Sequence, residues 1–190
     1  IEESGHELPG FFDFITLLAF LYFANLNIDI AIIEVGIGGR LDATNVITPI
    51  ASVITSVGLD HIEQLGNSKE LILNEKLGIV KNEVPLFTAV KEESLINQMI
   101  TKCSLTSSDF VKVDFERLKI KNIGLDSSKF SYKDLNDLVI KLPGVHQIEN
   151  SVLAIEVVNY LNKKSNLKVS CELLYEGLIS TTWPGRLECV

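Results

Sequence analysis

Cysteine is scarce in this chain and paired cysteine is missing: Cys103, Cys171 and Cys189 are the three present, and no two stand in a CxxC spacing. The odd count argues against a disulfide framework and the missing pairs argue against a zinc site, which leaves reduced thiols in a cytoplasmic protein. Basic clusters are missing as well. The formal net charge is −8, and no run of Lys and Arg offers the counterion-displacing face of a nucleic-acid binder, so no nucleic-acid partner is expected. An anionic nucleotide could bind such a chain only through local groups: backbone N–H donors, a helix N-terminus or a bound cation. The longest apolar run, Phe11–Leu26, contains Asp13, Thr16 and Asn25 and falls short of the roughly 20 residues a bilayer requires. It is expected to be a buried helix rather than a span, with no membrane partner. No basic leader with a small-residue cleavage site precedes it, so no signal peptide is expected. A GxxxxGK[ST] phosphate loop is absent from the 190 residues, as are internal repeats and low-complexity tracts.

What is present suits one globular α/β domain. Hydrophobic residues make up 46%, charged residues 22%, and the mean hydropathy is +0.26, which is ample material for a core and unlike a disordered chain. Ile28–Val35 and Ala51–Val57 are continuous β-branched runs, each ended by glycine, the pattern of strands buried on both faces. Ser68 is a plausible N-cap for an amphipathic helix reaching Lys81. Val84–Val90 predicts a third strand and Glu93–Cys103 a helix. From Asp109 to Leu142 short alternating runs (FVKVDF, LKIKNI, KFSYK, LVIKL) are separated by turn residues, which predicts antiparallel strands with one wet face. Helices over about 147–162 and 171–180 follow. Strands alternating with helices predict a mostly parallel sheet flanked by helices, with a small antiparallel subsheet. Ligands of such sheets gather outside the strand carboxyl ends, which directs attention to residues 34–45 and to Asp60-His61.

The first of these segments reads Glu34-Val-Gly36-Ile-Gly38-Gly39-Arg40-Leu-Asp42-Ala-Thr44-Asn45. A dinucleotide turn would need its third glycine where Leu41 stands, and a methyltransferase turn would need glycine at Arg40. Both fail at a defining residue. The whole string, EVGIGGRLDATN, instead closely resembles the signature of folylpolyglutamate and dihydrofolate synthases, members of the Mur ligase superfamily. The resemblance continues through SVGLDH (Ser56–His61) with Leu65-Gly66, EKLGIVK (Glu75–Lys81), LPGVHQ (Leu142–Gln147) with Asn150, and WPGRLE (Trp183–Glu188). It departs from the family pattern at Asp13, Asn67-Ser68 and Leu77.

The resemblance implies a central ATP-binding domain of phosphate-loop NTPase type over residues 1–185, without its phosphate-loop portion, and a hinge over 186–190 into a C-terminal domain. It implies an ATP-dependent ligase in which a folate or dihydropteroate carboxylate is phosphorylated and the acyl phosphate is attacked by the amino group of L-glutamate. ATP and Mg²⁺ are the implied cofactors, and a cytoplasmic monomer is expected. Glu34 and His61 are implied as magnesium ligands. A carboxylate suits so hard a cation, whereas an imidazole is less usual, and His61 alone would read as a hydrogen-bonding histidine. Lys76 alone reads as a solvated helix lysine; the resemblance makes it a candidate for carbamylation, which needs the neutral amine. His61 and Lys76 are thus the catalytic candidates. His146 and Asn150 lie one turn apart on one helix face. With Gln147 they are implied at the adenine of ATP, although Gln147 could equally cap the helix. Arg186 is implied at the phosphates, where a planar donor fork suits the oxygens. Arg40 reads as a brace for the glycine turn, Lys81 as a surface lysine, and the pterin-contacting residues as lying largely outside this segment. Two rivals remain, a UDP-muramyl peptide ligase and a non-catalytic nucleotide-binding module. Lacking the phosphate loop, the chain on its own is expected to be inactive.

Overall fold

The computed structural model describes residues 9–164 and 168–184. It resolves into two compact units. One comprises the chain as far as Ile50 together with Val57–Lys81; the other comprises Ala51–Ser56 with the chain from Asn82 onward.

In the first unit, α1 spans Phe11–Asn25 and opens with the Gly10 amide donating to the Asp13 carboxylate at 3.2 Å. The helix is where the sequence places it, but it is not buried. Only Thr16 is, while Phe11 is 83% exposed and Leu17, Leu21 and Tyr22 are also open. Residues 28–35, expected as a buried strand, run as irregular chain with no ladder partner among the described residues, and Ile32 is 96% exposed. A β-branched run declares a preference for a sheet, but a strand exists only where a second chain completes its hydrogen bonds. Beyond the 3-10 turn Ala43–Val46, helix α2 (Ile62–Leu65) and helix α3 (Lys69–Lys76) follow, the latter capped by the Ser68 hydroxyl accepting from the Leu71 amide at 3.3 Å. The helix expected to reach Lys81 tightens into a 3-10 turn at Leu77–Ile79.

The second unit holds both sheets. Strands β1 (Ser52–Ile54), β2 (Leu86–Thr88) and β3 (Phe110–Lys112) form a parallel sheet in that order, with Ser52 opposite Leu86 and Leu86 opposite Phe110. Thr88, fully buried in the middle strand, donates its hydroxyl to the Ile54 carbonyl at 2.8 Å and accepts from the Val90 amide at 3.1 Å, so no polar atom of its side chain is stranded. Helix α4 (Glu93–Leu105) joins β2 to β3 and buries Leu95, Ile96, Met99 and Cys103, positions on one helical stripe. The alternation of FVKVDF predicts an antiparallel strand; β3 is instead parallel. It is an edge strand with one neighbour, and such a strand can show a wet face in a parallel sheet too. The antiparallel sheet comprises β4 (Leu118–Ile123), β5 (Ser128–Tyr132) and β6 (Leu135–Ile140) in that order.

Helix α5 (Val145–Lys164) presents Ile148, Val152 and Ile155 to a core shared with Phe87 of β2, Phe130 and Tyr132 of β5, and Leu138 and Ile140 of β6. Each such side chain contributes on the order of 1.5–3 kcal/mol through its removal from water. Helix α6 (Cys171–Ser180), capped by Ser170, packs against β6, where the Tyr175 hydroxyl donates to the Asn136 carbonyl at 2.6 Å. Among the described residues no helix is long and apolar enough to cross a membrane.

Candidate functional site

The glycine string of residues 36–45 is folded into a polar knot with the segment 75–81. Gly38 has φ +70° and Gly39 φ +159°, and a Cβ on Gly39 would lie 2.9 Å from the Glu75 carbonyl oxygen, so the turn passes too close to the end of α3 for any side chain. The close approach is reciprocal. A Cβ on Gly78 would lie 2.3 Å from the Cα of Arg40. Between these contacts the Arg40 amide donates to the Glu75 carbonyl at 2.9 Å, and its guanidinium donates to the Glu75 carboxylate at 3.1 and 3.2 Å. Asn45 donates its side-chain amide to the carbonyls of Arg40 and Gly78, both at 3.1 Å, and Lys81 donates to the Asn45 carbonyl at 3.0 Å.

Arg40 is therefore the brace the sequence suggests, whereas Lys81, read there as a surface lysine, is a tie within the knot. Asp42 closes the turn. It accepts from the Ile37 amide at 3.0 Å, and from the Thr44 amide at 3.0 Å and hydroxyl at 2.5 Å. Burial works against its charge, but these bonds, led by that from the Thr44 hydroxyl, outweigh it and hold the carboxyl below the usual carboxylate range.

Of the candidate metal and catalytic residues, Glu34 stands just before the knot in sequence, Lys76 falls within its second segment, and His61 lies between the two segments. Glu34 is exposed and makes no hydrogen bond or ion pair among the described residues. His61 sits in the left-handed region (φ 50°, ψ 40°) immediately before α2, with its amide donating to the Asp60 carboxylate at 2.8 Å and its Nε2 3.8 Å from the other Asp60 oxygen. A non-glycine residue in that region costs energy that the surroundings must supply, a condition common at working sites. Lys76 is the last residue of α3 and half-buried. No three His, Cys, Asp or Glu side chains among the described residues gather closely enough to hold a metal by themselves. A cleft of about 280 Å³ opens beside the glycine turn, lined by Phe12, Ile37, Leu41 and Leu65 and by the polar Asp13, Asp42, Gln64 and Glu75. The glycine string lines much of this cleft, and three further segments, at Phe12-Asp13, Gln64-Leu65 and Glu75, complete it.

In the second unit, α5 brings His146, Gln147 and Asn150 together in its first turns. Gly144 precedes them with φ +102°, and a Cβ there would lie 2.7 Å from the His146 ring. Asn150 donates to the Gln147 side-chain oxygen at 3.4 Å, and both His146 and Asn150 are exposed. Gln147 thus pairs with Asn150, and its carbonyl accepts from the Ser151 hydroxyl at 2.7 Å. Trp183 is 56% exposed; Arg186 lies outside the described residues.

Comparison with known proteins agrees along the chain. Residues 9–158 match the Mur ligase middle domain. The dihydrofolate synthase/folylpolyglutamate synthase of Bacillus subtilis (strain 168) is 36% identical over 196 residues, covering 100% of this chain and 46% of that protein. The apo form of L. casei FPGS superposes with a TM-score of 0.88 at 31% identity, over 98% of this chain and 47% of the other. A structure described as an FPGS-AMPPCP-folate complex superposes with a TM-score of 0.87 at 32% identity, over 98% and 47% respectively. The chain spans about half the length of the curated relatives it matches. The glycine knot, the parallel sheet with its antiparallel companion and the match over most of the sequence together have one conclusion: this chain belongs to the Mur ligase middle-domain family.

Proposed function

We propose that this chain is the nucleotide-binding middle part of an ATP-dependent ligase that joins L-glutamate to a folate or dihydropteroate carboxylate in the cytoplasm. The observation that carries the reading is similarity along the whole chain to dihydrofolate and folylpolyglutamate synthases, including a structure with AMPPCP and folate. Activation of the carboxylate by ATP gives an acyl phosphate and ADP. Attack by the glutamate amine then forms the amide and releases phosphate.

Both substrates and the transferring phosphoryl are anionic, so stabilising the developing charge is the dominant demand. In an acidic chain Glu34 and His61 are the groups we assign to hold magnesium. A carboxylate suits this ion, which keeps waters and substrate phosphates as most of its ligands, and the imidazole is the less usual donor of the two. Bound there, the cation would neutralise phosphate charge. Lys76 is the position assigned to a carbamate, which would convert a cationic side chain into an oxygen donor beside the same phosphates. Asn150 reads the edge of the adenine, with His146 on the same face and Gln147 orienting its amide. Arg186 is assigned to the phosphates. The cleft beside the glycine turn sets apolar side chains beside the polar Asp13, Gln64 and Glu75, so a flat heteroaromatic ring could meet the former with its faces and the latter with its edges. We assign part of the pterin site to it, with Phe12 and Leu41 as the contacts this segment supplies.

The test is turnover by the complete protein. Incubation with ATP, Mg²⁺, L-glutamate and dihydropteroate or a folate is expected to yield ADP and a product heavier by one glutamyl residue, and Glu34→Ala is expected to abolish it. UDP-muramyl peptide accepted in place of the folate would shift the assignment within the superfamily. Unchanged turnover in Glu34→Ala would remove the metal role. The 190-residue chain alone, lacking a phosphate loop in its sequence, is expected to show no ligation.

A further inference from the structure

At the carboxyl end of β2 one lysine gathers three separate segments. Lys91 Nζ lies 2.5 Å from Glu149 Oε1 in the first turns of α5 and 4.4 Å from the centroid of the Phe115 ring, which begins the 3-10 turn after β3. The Glu149 side chain is 25% exposed and that of Lys91 58%, so the carboxylate is partly withdrawn from water while the lysine, largely exposed, lies over an aromatic face. Seven residues along the helix, and so on the same face, Glu156 repeats the arrangement. It accepts from the Tyr132 hydroxyl at 2.6 Å and pairs with Lys133 Nζ at 2.5 Å, and Lys133 lies 5.2 Å from the Tyr132 ring centroid. The Asp114 amide donates to the Tyr132 hydroxyl at 3.2 Å, which links the two clamps through the residue next to Phe115.

Two anchors two turns apart fix what one cannot. The buried pair at Glu156 holds the body of α5. The end that carries His146, Gln147 and Asn150 is free to fray, since the first amides of a helix have no intrahelical partners. Lys91 engages the residue adjacent to Asn150 and draws that turn onto the carboxyl end of the parallel sheet, where ligands of this architecture bind.

We propose that Lys91 and Glu149 are positioning residues for nucleotide binding, setting the direction in which Asn150 faces the base, with Phe115 as the floor that holds the lysine. The inference rests on the reading above that the first turns of α5 receive ATP.

In the complete enzyme, Lys91→Met keeps the aliphatic stem and removes the charge, and Glu149→Gln keeps the shape. Each is expected to raise the KM for ATP severalfold, with kcat within twofold and the KM for the folate unchanged. The double variant is expected to be no worse than the poorer single one, because both remove one interaction. Asn150→Ala serves as the reference for the nucleotide reading. If it raises the ATP KM while Lys91→Met and Glu149→Gln do not, positioning by the pair is overturned and the nucleotide reading stands. If none of the three changes it, both readings fall. Effects of the two single variants that multiply in the double one, or that lower kcat in step with thermal stability, assign the pair a structural role alone and overturn the proposal.

Discussion

The glycine knot and the core beneath α5 are built on opposite principles. Residues 36–45 and 75–81 are fixed by directional contacts: a guanidinium on a carboxylate, a side-chain amide shared between two carbonyls, and glycines where backbone meets backbone. The region around α5 is fixed by apolar burial, with Phe130, Tyr132, Leu138, Ile148 and Val152 all fully enclosed, and few polar groups admitted beside the clamp at Glu156. A knot of this kind specifies geometry at low energetic weight, since each exposed or half-exposed polar bond contributes about 1 kcal/mol or less. A core supplies stability and tolerates some reshaping. The distinction suits the work assigned to each. On the function proposed above, the turn would hold backbone and side chains in one arrangement near charged phosphates, and the core would carry the helix assigned to the nucleotide.

The comparison breaks most readily in the core. Phe130→Ala, which empties a fully buried ring site, is expected to cost about 3–5 kcal/mol of unfolding free energy in the complete protein, measured by denaturant titration. Gly78→Ala is the counterpart in the knot. The new Cβ would meet backbone atoms of Arg40, which cannot rotate away, and about 1–3 kcal/mol is expected. The informative result is the way activity follows stability. Phe130→Ala should lose activity only as the protein unfolds, whereas Gly78→Ala should lose it at temperatures where the fold is intact. Parallel losses in both would erase the division between scaffold and site. Leu41→Asp tests the cleft at smaller cost. Leu41 is 80% exposed, so stability should change by only about 0.5 kcal/mol, while the KM for the folate rises severalfold.

Much of this was legible in the sequence, and the gaps have physical causes. Helix α6, the start of α3 at Ser68 and the strands at Ser52–Ile54 and Leu86–Thr88 lie where capping and hydrophobic patterning put them, because those signals are local. The run at 28–35 has the pattern of a strand without the ladder, since pattern reports preference and pairing needs a partner. For α1 the apolar composition gave the helix but not its cover, and composition does not say what else is present. Of the site residues, the sequence placed His146, Gln147 and Asn150 on one helix start, as found. It left Asp42, Thr44 and Asn45 without roles and Lys81 at the surface, because their partners are up to 36 residues away or depend on the exact path of the turn.

The finest division between the two regions lies in their response to pH. The Asp42 carboxyl is held below its ordinary value of 3.8 by the Thr44 hydroxyl and the neighbouring amides, in spite of its burial. A depressed acid stabilises the fold wherever it is ionised, so its contribution is fully present above the unfolded value and fades as pH falls through the lower folded one. In the core unit Tyr160 behaves in the opposite sense. Its hydroxyl donates to Asp109 at 2.5 Å, and that bond, with burial, pushes the phenol up to about 12 from 10.0. Its contribution is complete below pH 10 and is lost as pH rises toward 12. Asp42→Asn should therefore flatten the acid limb of the stability profile below pH 4 and leave the alkaline limb untouched, while Asp109→Asn should bring phenolate absorbance in at lower pH. If Asp42→Asn moved the alkaline limb as well, the turn and the core would be coupled through charge, and the two regions would not respond to pH independently.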